Sequence, residues 1–211
     1  MKKDVIDKID IYKIKKSEEL LKYYKDWTGN NKYNKDMVEW NYTAPKKTVS
    51  ILKQYVLNKN SKILDAGCGT GLVGIELNKY GYSNIDGVDF SQNMLNLVPQ
   101  NIYKKIEKID LNKKLKFEDN IYDVVMCVGT FTYGHVKPKA LDELIRITKN
   151  KGLICFTINE GIYEEYGFDN KIKELSSNKS WNVKEFFKSD YITNKKVEAW
   201  LCLAKVINKQ V

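Results

Sequence analysis

The 211-residue chain is long enough for one α/β domain with a buried core and too short for two comfortable ones. Its composition, 43% hydrophobic and 30% charged, is that of an ordinary globule, and it lacks the run of about 18 apolar residues that a membrane helix needs, which argues against a membrane partner. The formal charge of +9 comes almost wholly from lysines dispersed from Lys2 to Lys209, with Arg146 the single arginine; surfaces that read phosphates and bases rely on arginine's fork, so nucleic acid is a disfavoured partner.

The first residues, MKKDVIDKIDIYKIKK, carry no apolar run like that of a secretory signal, which points to a retained, cytoplasmic protein. From Ser17 to Asn58 the pattern is helical: Ser17 followed by Glu18 and Glu19 suits a helix start, and Pro45 suits the first turn of a helix ending near Asn58. Apolar runs then alternate with amphipathic stretches, the mark of βαβ architecture. Strands are expected at 62–66 and 85–88, a weaker one within 103–109, then at 122–128 and 153–158. Helices fall between them at 72–80, stopped by Gly81, at 92–98, capped by Ser91, and at 138–149, stopped near Gly152. The last of these puts Leu141, Leu144, Ile145 and Thr148 on one face. Beyond Asn159 a helix near 169–177 precedes two long strand-like runs, 182–192 and 196–207, joined as an antiparallel hairpin by Thr193-Asn194-Lys195. The four cysteines, Cys68, Cys127, Cys155 and Cys202, lie far apart without a Cys-x-x-Cys pair, and His135 is the only histidine; they read as small buried hydrophobes and no metal site.

The most informative stretch is Ile63-Leu64-Asp65-Ala66-Gly67-Cys68-Gly69-Thr70-Gly71, a buried strand running through a glycine loop into a helix. Such a loop brings backbone close to a ligand, and the helix N-terminus offers unpaired N–H groups. Gly69, Gly71 and Gly74 satisfy the dinucleotide pattern G-x-G-x-x-G, so a nicotinamide or flavin site has to be weighed. The register argues otherwise: counted from Gly67, the pattern is G-x-G-x-G, and Asp65 would repel a pyrophosphate but attract a cationic sulfonium or ammonium. Asp89 ends the second strand, placed for ribose hydroxyls in either cofactor class. Asp110 and Leu111 end the third, an acid for an exocyclic amine beside an apolar cover for an adenine ring. All three acids fall at the carboxyl edge of the expected sheet, where open α/β sheets bind ligands.

The runs ILDAGCGTG, GVDFSQNML, YDVVMCVGTF and LDELIRITKNKGLICF resemble the successive motifs of the class I S-adenosylmethionine-dependent methyltransferases. YYKDWTGNNKYNKDMVEWNYTAP, VGTFTYGHVKPKALDEL and KKVEAWLCLAK are similar to one subgroup, the methyltransferase-like protein of the Williams–Beuren syndrome region and its bacterial relatives. The resemblance implies a Rossmann-like, mostly parallel seven-stranded sheet whose last two strands are the C-terminal hairpin. It also implies a division into an N-terminal helical lid, 1–58, and a cofactor-binding domain, 59–211. Gly67, Gly69 and Gly71 would line the methionine part of S-adenosylmethionine, Asp89 its ribose, and Asp110 with Leu111 its adenine. Cys127, Val128 and Gly129 would border the sulfonium; Asp65, Cys68, Phe90 and Met94 complete the expected donor site, and Tyr33 would reach the cofactor carboxylate.

Methyl transfer is an in-line displacement that needs alignment more than a catalytic triad, and a base only where the acceptor must lose a proton. Gly129-Thr130-Phe131-Thr132 stands where enzymes methylating adenine or glutamine amides carry Asn/Asp-Pro-Pro-Tyr, and Cys127 lacks the proline of a cytosine-attacking Pro-Cys. His135 is the candidate general base, and Trp40, Tyr42, Thr130 and Phe131 are the candidate acceptor residues. The expected acceptor is a small molecule reacting at oxygen, nitrogen or sulfur. RNA or protein is the alternative, and a catalytically silent cofactor-binding partner is the third reading. The state is read as monomer or dimer.

Overall fold

The computed structural model describes residues 9–14 and 16–207; the reading of the first eight residues and Lys209 lies outside them. Three helices come first, α1 (Ser17–Thr28), α2 (Lys32–Glu39) and α3 (Ala44–Tyr55). The alternating unit follows: β1 (Ile63–Ala66), α4 (Leu72–Lys79), β2 (Ile85–Asp89), α5 (Gln92–Leu95), β3 (Lys105–Lys108), β4 (Tyr122–Phe131), α6 (Ala140–Ile147) and β5 (Thr148–Asn159). The chain closes with α7 (Phe168–Ser177), β6 (Trp181–Ile192) and β7 (Val197–Val206).

The seven strands form one sheet in the order β3-β2-β1-β4-β5-β7-β6, parallel from β3 through β5 and antiparallel at β7 and β6. This is the expected Rossmann-like sheet with its C-terminal hairpin. All four residues of β1 are buried, as a strand covered on both faces requires. Ser91 caps α5 with its side chain, as its position suggests. That helix stops at Leu95 and not at Val98, because Pro99 holds the residue before it out of helical geometry.

One boundary differs more. The helix expected over 138–149 ends at Ile147, and its buried face is Ala140, Leu141, Leu144 and Ile147. Thr148 belongs instead to β5 and pairs with Tyr122, five residues before the strand's expected start. The register then jumps to Val124 opposite Leu153, and the intervening bulge turns at Lys151, whose φ is 64°.

Residues of α1, α2 and the turn before α3 line the carboxyl edge of the sheet, and that turn fastens to the hairpin. Tyr42 bridges Ile192, Thr43 N–H donates to the Tyr191 carbonyl at 3.0 Å, and Asn194 N–H donates to the Trp40 carbonyl at 3.1 Å. Below, the buried Tyr82 hydroxyl donates to the Val56 carbonyl, joining the end of α3 to the loop before β2. Tyr82→Phe strands that carbonyl and is expected to lower stability by about 1–3 kcal/mol in urea unfolding; a loss under about 0.5 kcal/mol would show the bond to be incidental.

Candidate functional site

β1 ends in the glycine loop, and the loop is fixed by backbone bonds to β2. Gly67 and Cys68 N–H groups both donate to the Val88 carbonyl, at 2.8 and 2.9 Å. Gly67 sits at φ +83°, and a Cβ there would collide with the Thr130 hydroxyl at the end of β4, so glycine is demanded by conformation and by space together. Asp89 closes the loop: its carboxylate accepts Gly69 N–H at 2.9 Å and Ser91 N–H at 2.8 Å. Burial raises the Asp89 pKa, and the backbone N–H groups of Ser91, Gly69 and Phe90 draw it back. The Thr70 hydroxyl donates to Asn34 at 2.6 Å, tying the loop to α2.

These elements enclose a cleft of about 910 Å³, counting its open mouth. Gly67, Cys68, Gly69, Asp89, Phe90 and Met94 line it from the first two strand ends. Asp110 and Leu111 enter from the third, Val128, Gly129 and Thr130 from the fourth, and Tyr33 and Tyr42 from the N-terminal helices and the turn after them. A second cavity of about 400 Å³, likewise counting its open mouth, adjoins it across Tyr24, Tyr33, Tyr42, Gly129 and His135, and Trp40 lies on this second cavity alone.

Four expected site residues line neither cavity. Gly71 is the N-cap of α4, its carbonyl accepting Ile75 N–H at 2.8 Å. Cys127 is wholly buried inside β4, and Phe131 packs into the core against Phe156 and Phe168, ring centroids 5.7 and 4.9 Å away. Asp65 also lies off the cleft: it is fully buried, and its carboxylate accepts the Tyr103 hydroxyl at 2.6 Å. It therefore does not face a cationic ligand directly, as its place in the motif suggests.

His135 sits between the cavities with both ring nitrogens engaged. Nδ1 meets the Tyr133 carbonyl, which only accepts, so Nδ1 carries the proton and Nε2 accepts the Tyr24 hydroxyl at 2.6 Å. Desolvation lowers its pKa to about 4, which keeps the ring neutral. Sequence reasoning missed Asn112 as a cleft residue; its side chain accepts Lys137 N–H at 2.9 Å and so joins the loops after β3 and β4. The pattern Asp-x-Asn was a usable signal for Asn112, since Asn112 N–H closes an Asx turn on Asp110 at 3.0 Å. Tyr12, Thr132 and Tyr191 also line the second cavity; no local pattern links residues so distant in the chain.

No lysine or arginine lines either cavity among the described residues, whereas Asp89 and Asp110 line the cleft. That donor set disfavours a pyrophosphate and fits a ligand with a cationic end, an amine-bearing ring and a diol. No group of three or more metal-binding side chains occurs among the described residues, and no helix is long and apolar enough to cross a membrane.

Residues 64–156 match the family model of the methyltransferase domain. Human methyltransferase-like protein 27 is 33% identical over 141 residues, 65% of this chain and 56% of that protein. The ribosomal protein L11 methyltransferase of Thermotoga neapolitana is 27% identical over 140 residues, 65% of this chain and 50% of that protein. The chain thus spans about half the length of these curated relatives. A solved SAM-dependent methyltransferase from Aquifex aeolicus superposes with a TM-score of 0.56 at 20% identity, over 77% of this chain and 89% of that one, which shows the shared fold.

The buried acid behind the loop has a measurable signature. Burial, partly offset by the Tyr103 hydrogen bond, pushes the Asp65 carboxyl up from its ordinary 3.8 to about 7. Between these values the folded chain holds a proton that the unfolded chain has lost, so stability falls as pH rises through this window and levels off above it. Asp65→Asn keeps an acceptor for Tyr103 and cannot ionise. In ligand-free protein it is expected to raise Tm by at least about 4 °C more at pH 8 than at pH 5. An equal effect at both values would contradict the buried-acid assignment.

Proposed function

We propose that this chain is an S-adenosylmethionine-dependent methyltransferase of the subgroup its terminal segments resemble, acting on a small-molecule acceptor at oxygen, nitrogen or sulfur. The observation that carries the reading is the pair of adjoining cavities: an acid-lined cleft at the sheet's carboxyl edge and a chamber of aromatic rings across one partition. When bound, S-adenosylmethionine supplies a methyl group made electrophilic by its sulfonium. Asp89 would accept the ribose hydroxyls, Asp110 the adenine amine with Leu111 over the ring, and the backbone of Gly67, Cys68 and Gly69 would hold the methionine part. Tyr33 is assigned to the cofactor carboxylate, and Tyr42, Thr130 and Trp40 to the acceptor side.

Against a nucleic-acid acceptor stands the commitment of the only arginine. Arg146 bonds Glu143, Asp119 and the carbonyls of Leu115 and Phe117, which leaves its fork no room for phosphate. The name of the L11 methyltransferase makes a protein acceptor the alternative to test, and donor binding without turnover would support a silent partner protein.

We assign His135 a positioning role. Its free-base nitrogen is held by the Tyr24 hydroxyl and its basicity is depressed, so it orients the partition between donor and acceptor and does not abstract a proton. His135→Ala is expected to reduce stability by about 0.5–3 kcal/mol while turnover of folded protein stays near normal. A turnover loss of roughly 10²–10⁴ with unchanged donor affinity would restore the general-base role.

The donor assignment is tested by calorimetry. S-adenosylhomocysteine is expected to bind and NAD is not. Asp89→Ala removes charge-assisted bonds worth roughly 1.5–3 kcal/mol each and should weaken S-adenosylhomocysteine at least tenfold. Affinity within twofold of the parent would overturn the ribose assignment.

A further inference from the structure

The second cavity has a chemistry that the methyl-transfer reading does not explain. Tyr12, Trp27, Trp40 and Tyr191 line it, and the rings of Tyr24, Tyr33 and Tyr42 separate it from the donor cleft. The rings meet at several tilts: Trp27 stands at 75° to Tyr33 with centroids 4.9 Å apart, at 42° to Trp40 at 5.6 Å, and Tyr42 stands at 81° to Tyr191 at 5.1 Å. Among the described residues no charged side chain lines the chamber. Two ionic groups address the indoles: Asp36, which also pairs with Lys32, accepts the Trp27 N–H at 2.6 Å, and the Lys195 ammonium lies 4.9 Å over Trp40. The Thr132 hydroxyl is buried and lines the cavity; the Tyr12 hydroxyl faces it, but among the described residues it makes no well-formed hydrogen bond.

We infer that this chamber takes a flat heteroaromatic nitrogen base and that the ring nitrogen is the atom methylated. The inference rests on the methyl-transfer reading above and narrows it. An anionic acceptor would lose its hydration with no cation to replace it. A phenol or a protonated amine would need a base, and His135 has its one acceptor nitrogen occupied by Tyr24. A pyridine-type nitrogen arrives neutral with its lone pair ready. In the step, that lone pair forms the new bond to the methyl carbon, the carbon–sulfur bond breaks with its electron pair onto sulfur, and the positive charge passes from sulfur to the ring. No proton leaves. Charge is thus delivered into the aromatic chamber, where ring quadrupoles favour a cation. The Thr132 hydroxyl is left to bond a ring substituent.

The test uses the full chain with S-adenosylhomocysteine present. N-methylquinolinium, 2-naphthol and 2-naphthoate are titrated by calorimetry as cationic, neutral and anionic probes of one shape. The cation is expected to bind at least tenfold more tightly than either other probe. Trp40→Leu should weaken the cation at least fivefold while S-adenosylhomocysteine affinity stays within twofold, which also shows that the variant is folded. Labelled S-adenosylmethionine should pass its methyl group to quinoline without acidifying a weakly buffered solution. Preference for 2-naphthol or 2-naphthoate, or labelling of 2-naphthol with one proton released per methyl, would overturn the inference and leave methyl transfer standing. Failure of S-adenosylhomocysteine to bind, read before any probe is added, would remove the methyl-transfer reading itself.

Discussion

Two backbone N–H groups, from Gly69 and Ser91, converge on the carboxylate of Asp89 at the end of the second strand. A carboxylate set so deep would be costly if left unpaired, and the two bonds meet that cost while pinning the glycine loop on one side and the start of α5 on the other. Because Gly67 and Cys68 also hang from the Val88 carbonyl, the loop has little freedom to drift, and the cleft keeps its shape ahead of any ligand. Removal of this anchor would release the backbone that the donor has to meet.

The N-terminal helices extend this rigidity across the cleft. They do not fold over the sheet by themselves: Tyr42 and Thr43 join the end of β6, and Asn34 receives the Thr70 hydroxyl from the loop. The second cavity is therefore composite, with walls from described residues between Ile9 and Tyr42, from the loop after β4 and from the hairpin. Such a chamber forms only when all three are in place.

The two cavities divide the electrostatic work. Carboxylates line the cleft and suit a cationic ligand, while the described lining of the second cavity offers rings and hydroxyls without net charge. The +9 overall charge is not reflected in either lining, since no described lysine lines them. Net charge here describes solubility and not the site.

Local pattern sufficed for the sheet, the glycine loop and the acids at three strand ends, because strand burial, helix periodicity and turn chemistry are written within a few residues of one another. Asp89, Asp110 and Leu111 could be placed at the carboxyl edge for that reason. Direction within a strand was less legible. Asp65 and Cys127 belong to the right strands but lie off the cleft, since the alternation of faces depends on which neighbours cover them. The end of α6 was misjudged because Thr148 continues a helical period in sequence yet pairs with Tyr122 in space. The aromatic chamber was legible only in its N-terminal wall, at Tyr33, Trp40 and Tyr42: Tyr12, Thr132 and Tyr191 join them only after a sheet of seven strands has brought the two ends of the chain together. Sequence by itself determined the elements and the glycine loop, whose interactions are short-range. Tertiary structure alone decided which side chains share a cavity and that His135 is buried with its Nε2 on the Tyr24 hydroxyl, because these depend on contacts such as that one, 111 positions apart.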